Sequence, residues 1–372
     1  MKLLLLTYEY PPFYGGVATY LFNLMQAAPA DAQVVVDVPP KGEHWIKTGW
    51  RQYFKVRKEK PDTIAVSHVL PAGYVAFKIN FWFKTPYIVF THGTDILTAR
   101  KNAWKRYWMN FVLKRAKIVV ANSRFTAGLL QEEGIIGNVE VVTPGVNIPL
   151  QPTTYNLQAN IVSVGRLVER KGFDTMIKAM PAILKEVPDA RYTIIGKGPY
   201  YDELVRFAHE LRVENFVKIS TDIDDAGKYR LLREASIFAL PAKQVGNDVE
   251  GFGIAAIEAA SIGLPVAVGR SGGATETVVD GVTGIVVEPD APSFLAEAII
   301  RLLKDPTLRE KMGEAGREYV RKEYSIEASA KKFWDLIMEM NSPAHSGTLP
   351  CSKGGNRISS PPLGTRGGRG SS

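Results

Sequence analysis

Cysteine is nearly absent. The single Cys351 excludes an internal disulfide, which fits a reducing cytosol. The chain has no apolar run of about eighteen residues, so no membrane-spanning helix is expected. Met1-Lys2-Leu3-Leu4-Leu5-Leu6 has the look of a short signal core. Thr7-Tyr8-Glu9-Tyr10-Pro11-Pro12 follows at once, with a glutamate and no small-residue cleavage site, so the segment reads as a first buried strand. Also missing are a Walker phosphate loop, zinc-ligand spacing and a Gly-x-Ser-x-Gly elbow, which removes three common chemistries. Asp222-Ile223-Asp224 could clamp a metal, but it sits beside Asp225 without flanking apolar strands and reads as acidic surface. Residues 341–372 carry four basic residues and no acid, in a Gly, Ser, Pro and Arg mixture. That composition cannot bury enough apolar surface to fold and is expected to be a disordered tail.

What is present is an ordinary soluble mixture, 45% hydrophobic and 23% charged over 372 residues, long enough for two domains. The charge is uneven. Residues 1–150 hold 18 Lys/Arg against 10 Asp/Glu, a balance of +8, whereas residues 151–340 hold 24 against 28, a balance of −4. Five of the six tryptophans (Trp45, Trp50, Trp82, Trp104, Trp108) precede residue 150. A basic, aromatic first half suggests an anionic partner.

Short β-branched runs alternate with helical stretches throughout. Lys2–Thr7, Val34–Val38, Thr63–Ser67, Tyr87–Thr91, Ile118–Ala121 and Val139–Val142 read as strands, with a helix opening at Gly15-Gly16. Thr143-Pro144-Gly145-Val146-Asn147 and the polar stretch to Asn160 mark a boundary. A second series runs through Ile161–Val164, Arg191–Ile195, Val217–Ile219, Ile237–Leu240, Pro265–Val268 and Gly284–Val287. The alternation predicts α/β architecture with two Rossmann-like, doubly wound domains facing across a cleft. The domains are placed at 1–148, with a returning helix over 325–340, and at 149–324.

The loops after these strands carry the candidate chemistry. Glu250 sits where Gly251 and Gly253 break regular structure, and Glu258 lies eight positions on, in an Ala- and Ile-rich helical run. Exposed amides at that helix start suit phosphate or sugar oxygens. In Gly165-Arg166-Leu167-Val168-Glu169-Arg170-Lys171-Gly172, Arg166 can fork onto a phosphate and Lys171 can add a point charge. Gly196-Lys197-Gly198-Pro199 lacks the third glycine of a dinucleotide fingerprint and reads as a tight turn open to a nucleobase. Ser271-Gly272-Gly273 and Pro11-Pro12-Phe13-Tyr14-Gly15-Gly16 offer free backbone amides. His92, in Thr91-His92-Gly93-Thr94-Asp95, ends a strand at the cleft edge.

Taken in order, Pro-Pro-x-x-Gly-Gly, Thr-His-Gly, Gly-Arg-Leu-x-x-x-Lys-Gly, Gly-x-Gly-Pro, Glu-x7-Glu and Ser-Gly-Gly resemble the retaining, nucleotide-sugar-dependent glycosyltransferases of GT-B architecture. The resemblance spans roughly residues 1–340 and is strongest from 161 to 290. It implies that Arg166 and Lys171 bind the donor diphosphate, with Gly165, Gly196 and Gly198 around the nucleotide and Glu258 on the ribose hydroxyls. It places Glu250 and the amides of Phe252, Gly253 and Ile254 on the transferred sugar, Gly16 against the phosphates, and His92 near the anomeric centre. It implies retention of configuration by same-face attack, with charge stabilised at Arg166 and Lys171. It further implies no cofactor beyond the GDP- or UDP-hexose donor, no metal, no nucleic-acid partner, and a final helix whose Phe333, Leu336, Ile337 and Met340 dock on the first domain.

The acceptor side is softer. Lys47, Arg51, Lys55 and Lys58 recur at helical spacing beside Trp50, Tyr53 and Phe54, a pattern that suits an anionic bilayer or a solvated surface helix. Trp104, Tyr107, Trp108 and Phe111 form a second stripe, read as core. The N-terminal motifs also look like those of phosphatidylinositol mannosyltransferases. The reading is therefore transfer of mannose or glucose to a lipid-linked or glycan acceptor by a cytoplasmic enzyme that rests peripherally on the inner membrane face. A nucleotide-sugar epimerase of the same architecture and a non-catalytic nucleotide-sugar binder are the alternatives.

Overall fold

The computed structural model describes residues 1–12, 15–40, 42–149 and 158–342. Phe13, Tyr14 and the tail from residue 343 lie outside the described residues.

The first sheet contains β1 (Lys2–Leu6), β2 (Gln33–Asp37), β3 (Thr63–Val66), β4 (Tyr87–Thr91), β5 (Ile118–Ala121) and β6 (Val139–Val141), in the order β2-β1-β3-β4-β5-β6. The second contains β7 (Asn160–Val164), β8 (Arg191–Ile195), β9 (Val217–Ser220), β10 (Ile237–Leu240), β11 (Val266–Gly269) and β12 (Gly284–Val287), in the order β12-β11-β10-β7-β8-β9. Every neighbouring pair is parallel. Unbroken apolar runs explain this. Leu3–Leu6, Ile118–Ala121 and Ile237–Leu240 are buried along their whole length, as strands covered by helices on both faces must be.

Each sheet reverses its strand order once. The reversal lies between β1 and β3 in the first and between β7 and β10 in the second. Loops leaving the carboxyl ends at such a point splay apart and leave a crevice. The loops after β1, β3 and β4 therefore meet the loops after β7 and β10.

The helix Ile326–Asn341 crosses back to the first sheet. Phe333, Trp334, Ile337 and Met340 join the cluster built on Leu3, Tyr20, Phe90 and Val120. Trp334 donates its indole N–H to the Leu24 carbonyl at 2.8 Å, and Ser329 donates its hydroxyl to the Thr143 carbonyl at 2.5 Å. Each such apolar side chain contributes roughly 1.5–3 kcal/mol on burial, enough together to fix the helix in place. Leu336, in the expected stripe, is only partly buried at its edge.

Candidate active site

The β7 loop ends in a short 3-10 turn, Glu169–Lys171, and Gly172 follows with φ 69°. A Cβ on Gly172 would stand 1.8 Å from the Pro241 carbonyl oxygen, so this residue must be glycine for the β7 loop to lie on the β10 loop. That contact brings Lys171 and Glu250 together. Lys171 Nζ lies 2.7 Å from the Glu250 carboxylate, and Arg170 Nη1 donates to it at 2.5 Å. Arg170 Nε stands 2.9 Å from Asp248. Burial would lift the Glu250 carboxyl, but Lys171 and Arg170 outweigh it and hold the group below the usual carboxylate range. Burial also pulls the Lys171 ammonium down, aided by Arg170 and Arg166 and opposed by Glu250. The two shifts differ in cause: burial dominates at Lys171, whereas the neighbouring cations overcome burial at Glu250. Arg166 is exposed at the mouth and has no ion-pair partner among the described residues. Sequence reading passed over Arg170, whose spacing gives no hint that it shares Glu250.

Glu258 lies on the helix Ile254–Ser261, whose start at Gly253 has no side-chain cap. Its first amides thus remain available to an anion. Phe252 is buried edge-on against Tyr324, with ring centroids 5.3 Å apart, which anchors the loop just before those amides. Glu258 accepts from Lys228 at 3.2 Å, and burial lifts its carboxyl despite that cation. The turn at Gly196 and Gly198 packs directly on the Gly165–Leu167 backbone. Asp222 is paired with Lys197 at 2.5 Å, and Asp224 caps the helix Asp225–Arg233 through the Gly227 amide at 2.8 Å.

Across the crevice, Gly16 faces Ile254: a Cβ there would sit 3.4 Å from Ile254 Cδ1. His92 is half-buried, with Nε2 2.9 Å from the Ser67 carbonyl oxygen. A carbonyl only accepts, so Nε2 carries the proton and Nδ1 is left as an acceptor. Burial pushes the His92 pKa down to about 4, so the ring is neutral at physiological pH. The His92 amide donates to Asp95 at 3.0 Å. The His68 ring lies 5.5 Å from the His92 ring, tilted by 58°, and its Nε2 lies 3.8 Å from Glu9. Glu9, His68 and Asp95 were not singled out from sequence. Each is an isolated polar residue just beyond a strand end, Asp95 in the first turn of the helix Thr94–Arg100, and only the parallel order β1-β3-β4 gathers them.

The outer helices of the first domain correct two expectations. Trp104 is 69% and Tyr107 60% exposed, so this stripe is not core, although Trp108 and Phe111 are partly covered. Trp45, Trp50, Phe54, Phe81 and Trp82 are exposed as well. Arg51 and Lys55 do not project as free cations: they bind Asp37 at 2.6 and 3.0 Å. No helix among the described residues is long and apolar enough to cross a membrane.

Comparison with known proteins agrees with this geometry. Residues 151–319 match the family described as glycosyl transferases group 1, and residues 32–149 that described as Glycosyltransferase Family 4. A GDP-mannose-dependent alpha-(1-6)-phosphatidylinositol monomannoside mannosyltransferase of Mycolicibacterium smegmatis is 30% identical over 365 residues, covering 85% of this chain and 93% of that one. The corresponding monoacylated-substrate enzyme of Corynebacterium glutamicum is 42% identical, over 46% of this chain and 45% of its own. Among solved structures, HepE of Anabaena in complex with UDP and glucose has a TM-score of 0.77 at 20% identity and covers 91% of this chain and 99% of its own. Sucrose-phosphate synthase from Thermosynechococcus elongatus has a TM-score of 0.78 at 21% identity over 91% of this chain and 98% of its own. Two facing doubly wound domains, a relative aligned nearly end to end, and two adjoining family matches lead to one conclusion: the chain belongs to the group 1 glycosyltransferases of GT-B architecture.

Proposed function

We propose that this enzyme moves a hexose, mannose ahead of glucose, from a nucleoside diphosphate sugar to a lipid-linked acceptor at an anionic membrane surface, with retention and without a metal. The observation that carries the reading is the surplus of cations, Arg166, Arg170 and Lys171, gathered around buried Glu250 beside the uncapped helix start at Gly253. A leaving diphosphate gathers negative charge as its bond to the sugar breaks. Fixed cations and amides in a dry site stabilise that charge strongly. Arg166 and Lys171 take the diphosphate, Glu258 the ribose, and Glu250 with the amides of Phe252, Gly253 and Ile254 the sugar. Because Arg170 shares Glu250, that carboxylate stays ionised and aimed when Lys171 turns to phosphate. The neutral His92 borders the sugar without adding charge. The acceptor hydroxyl attacks the face the diphosphate leaves, and the departing phosphate oxygen takes its proton.

Mannose is placed first because the Mycolicibacterium relative is named as GDP-mannose-dependent. The membrane reading is supported by the exposed rings of Trp50, Phe54, Trp82 and Trp104, with the exposed cations Lys47, Arg57 and Lys58 on the helix that carries Trp50 and Phe54. Aromatic rings and lysines together suit a headgroup layer. The test is a thermal-shift panel of GDP- and UDP-sugars, followed by labelled transfer into a total lipid extract. A shift with GDP-mannose and a labelled lipid are expected. Equal shifts with every sugar nucleotide and label only in free sugar would sink the donor and acceptor assignments.

A further inference from the structure

The first turn of the helix Arg124–Glu132 is completed from the other domain. Its first two amides, Arg124 and Phe125, donate to the two carboxylate oxygens of Glu276 at 2.9 and 2.7 Å. Ser123 supplies the local cap to Thr126, so Glu276 satisfies two further amides that no residue nearby in sequence reaches. Glu276 is itself held. Its carbonyl accepts from the hydroxyls of Tyr319 at 3.2 Å and Tyr324 at 2.7 Å.

The same helix start faces the catalytic loops. Asn122 and Thr126 are joined at 2.8 Å. A Cβ on Gly251 would stand 2.3 Å from the His92 carbonyl oxygen and 3.1 Å from Asn122 Nδ2. A Cβ on Gly93 would stand 3.3 Å from Thr126 Oγ1. On the far side, the turn that carries Glu276 presses on the Glu250 loop: a Cβ on Gly273 would stand 2.1 Å from the Gly251 carbonyl oxygen. Glu276, the helix start, His92 and the Glu250–Gly251 backbone therefore form one closed circuit of contacts across the cleft. Thr94, which donates to the Val249 carbonyl at 3.2 Å, adds a weaker bridge.

We propose that Glu276 is a positioning residue that latches the two domains, seating the His92 strand end against the Glu250 loop so that both sides of the reaction centre are assembled together. The inference rests on the cleft being the transfer site. Glu276 itself touches none of the residues assigned to the donor, so its loss should separate closure from donor binding.

The test compares the full chain with Glu276→Ala and Glu276→Gln. Four readouts are taken: GDP and UDP binding by calorimetry, solution X-ray scattering, amide exchange, and release of nucleoside diphosphate from GDP-mannose and UDP-glucose. In Glu276→Ala, nucleotide affinity should hold, the radius of gyration should rise, and exchange should quicken at 91–95 and 249–253, which Glu276 does not bond. Turnover should fall by roughly ten- to a hundredfold in kcat, the loss of two charge-assisted hydrogen bonds, with donor KM little changed. Glu276→Gln keeps one acceptor oxygen and should fall between the two. Unchanged scattering and exchange would overturn the latch. So would loss of nucleotide affinity in step with turnover, which would mark a folding or donor-site defect instead. If neither donor is consumed by the unaltered chain, the donor assignment has failed, and scattering and exchange still decide the latch.

Discussion

Lys171 Nζ lies 2.7 Å from the Glu250 carboxylate, a contact that ties the loop after β7 to the loop after β10 at the point where the second sheet reverses its strand order. The pair is useful because it is unequal. Arg170 also binds Glu250, so a phosphate can draw Lys171 away without stranding a buried carboxylate.

Removing Lys171 should therefore damage chemistry more than fold. Lys171→Ala is expected to lower turnover by about a hundredfold or more, the ~3 kcal/mol cost of losing one charge-stabilising group. Arg170 should keep the melting temperature within a few degrees of normal. Arg166→Ala, at an exposed position, should cost as much turnover and no stability. Near-normal nucleotide release in both variants would remove this loop from the diphosphate site.

Glu258 offers the opposite trade. Burial raises its carboxyl despite Lys228, so its charge is carried at a cost to the folded state. A raised folded pKa means that stability is gained as pH falls through that pKa and is fully gained below the unfolded carboxylate range of about 4.3. Glu258→Gln should accordingly equal or exceed the parent in melting temperature at pH 7, and that advantage should vanish by about pH 4. Nucleotide affinity should drop roughly tenfold if the carboxylate holds ribose hydroxyls. Melting curves at several pH values and calorimetry with GDP and UDP check both halves.

His92 titrates with the other sign. Its folded pKa of about 4 lies below the usual histidine value. The unfolded chain takes up a proton first, so this residue lowers stability by about 1.4 kcal/mol per pH unit between roughly pH 6.5 and 4. The stability gap between the parent and His92→Gln should narrow over that window. Turnover of the parent should show no break near pH 6.5 from this ring. A parallel pair of stability–pH curves would contradict the neutral imidazole.

Much of the architecture is legible in the residues alone. Runs such as Leu3–Leu6 and Ile237–Leu240 are buried on both faces, and a strand of that kind has no polar side to disguise it. The site is legible only in part. Lys171 and Glu250 stand out by type and by neighbouring glycines, but Arg170 looks like any loop arginine until β7 and β10 lie side by side. Glu276 carries no sequence signal, because its partners are backbone amides of the other domain. The stripe through Trp104 and Tyr107 misleads for a different reason. Helical spacing says that one face differs from the rest, but not whether a neighbour covers it.

That uncovered stripe sharpens the membrane prediction. On the helix Trp45–Glu59, Arg51 and Lys55 are spent on Asp37, which leaves Lys47, Arg57 and Lys58 as exposed cations. Each free cation near an anionic surface contributes about 1 kcal/mol and is screened by salt. The rings of Trp50, Phe54, Trp82 and Trp104 supply an apolar contribution that salt does not screen. Binding to anionic vesicles should therefore fall as salt rises but not disappear. Lys47→Gln, Arg57→Gln and Lys58→Gln together should weaken the salt dependence and leave residual binding. Trp50→Ser with Trp104→Ser should weaken that residual binding, with Phe54 and Trp82 still in place, while keeping the salt dependence. Arg51→Gln should instead lower the melting temperature, because it leaves buried Asp37 with only Lys55 and Gln52. Co-sedimentation with anionic and neutral vesicles at low and high salt measures the binding changes, and a melting curve checks Arg51→Gln. Equal binding to both vesicle types would end the electrostatic part of the proposal, and binding unaffected by the tryptophan changes would end the aromatic part.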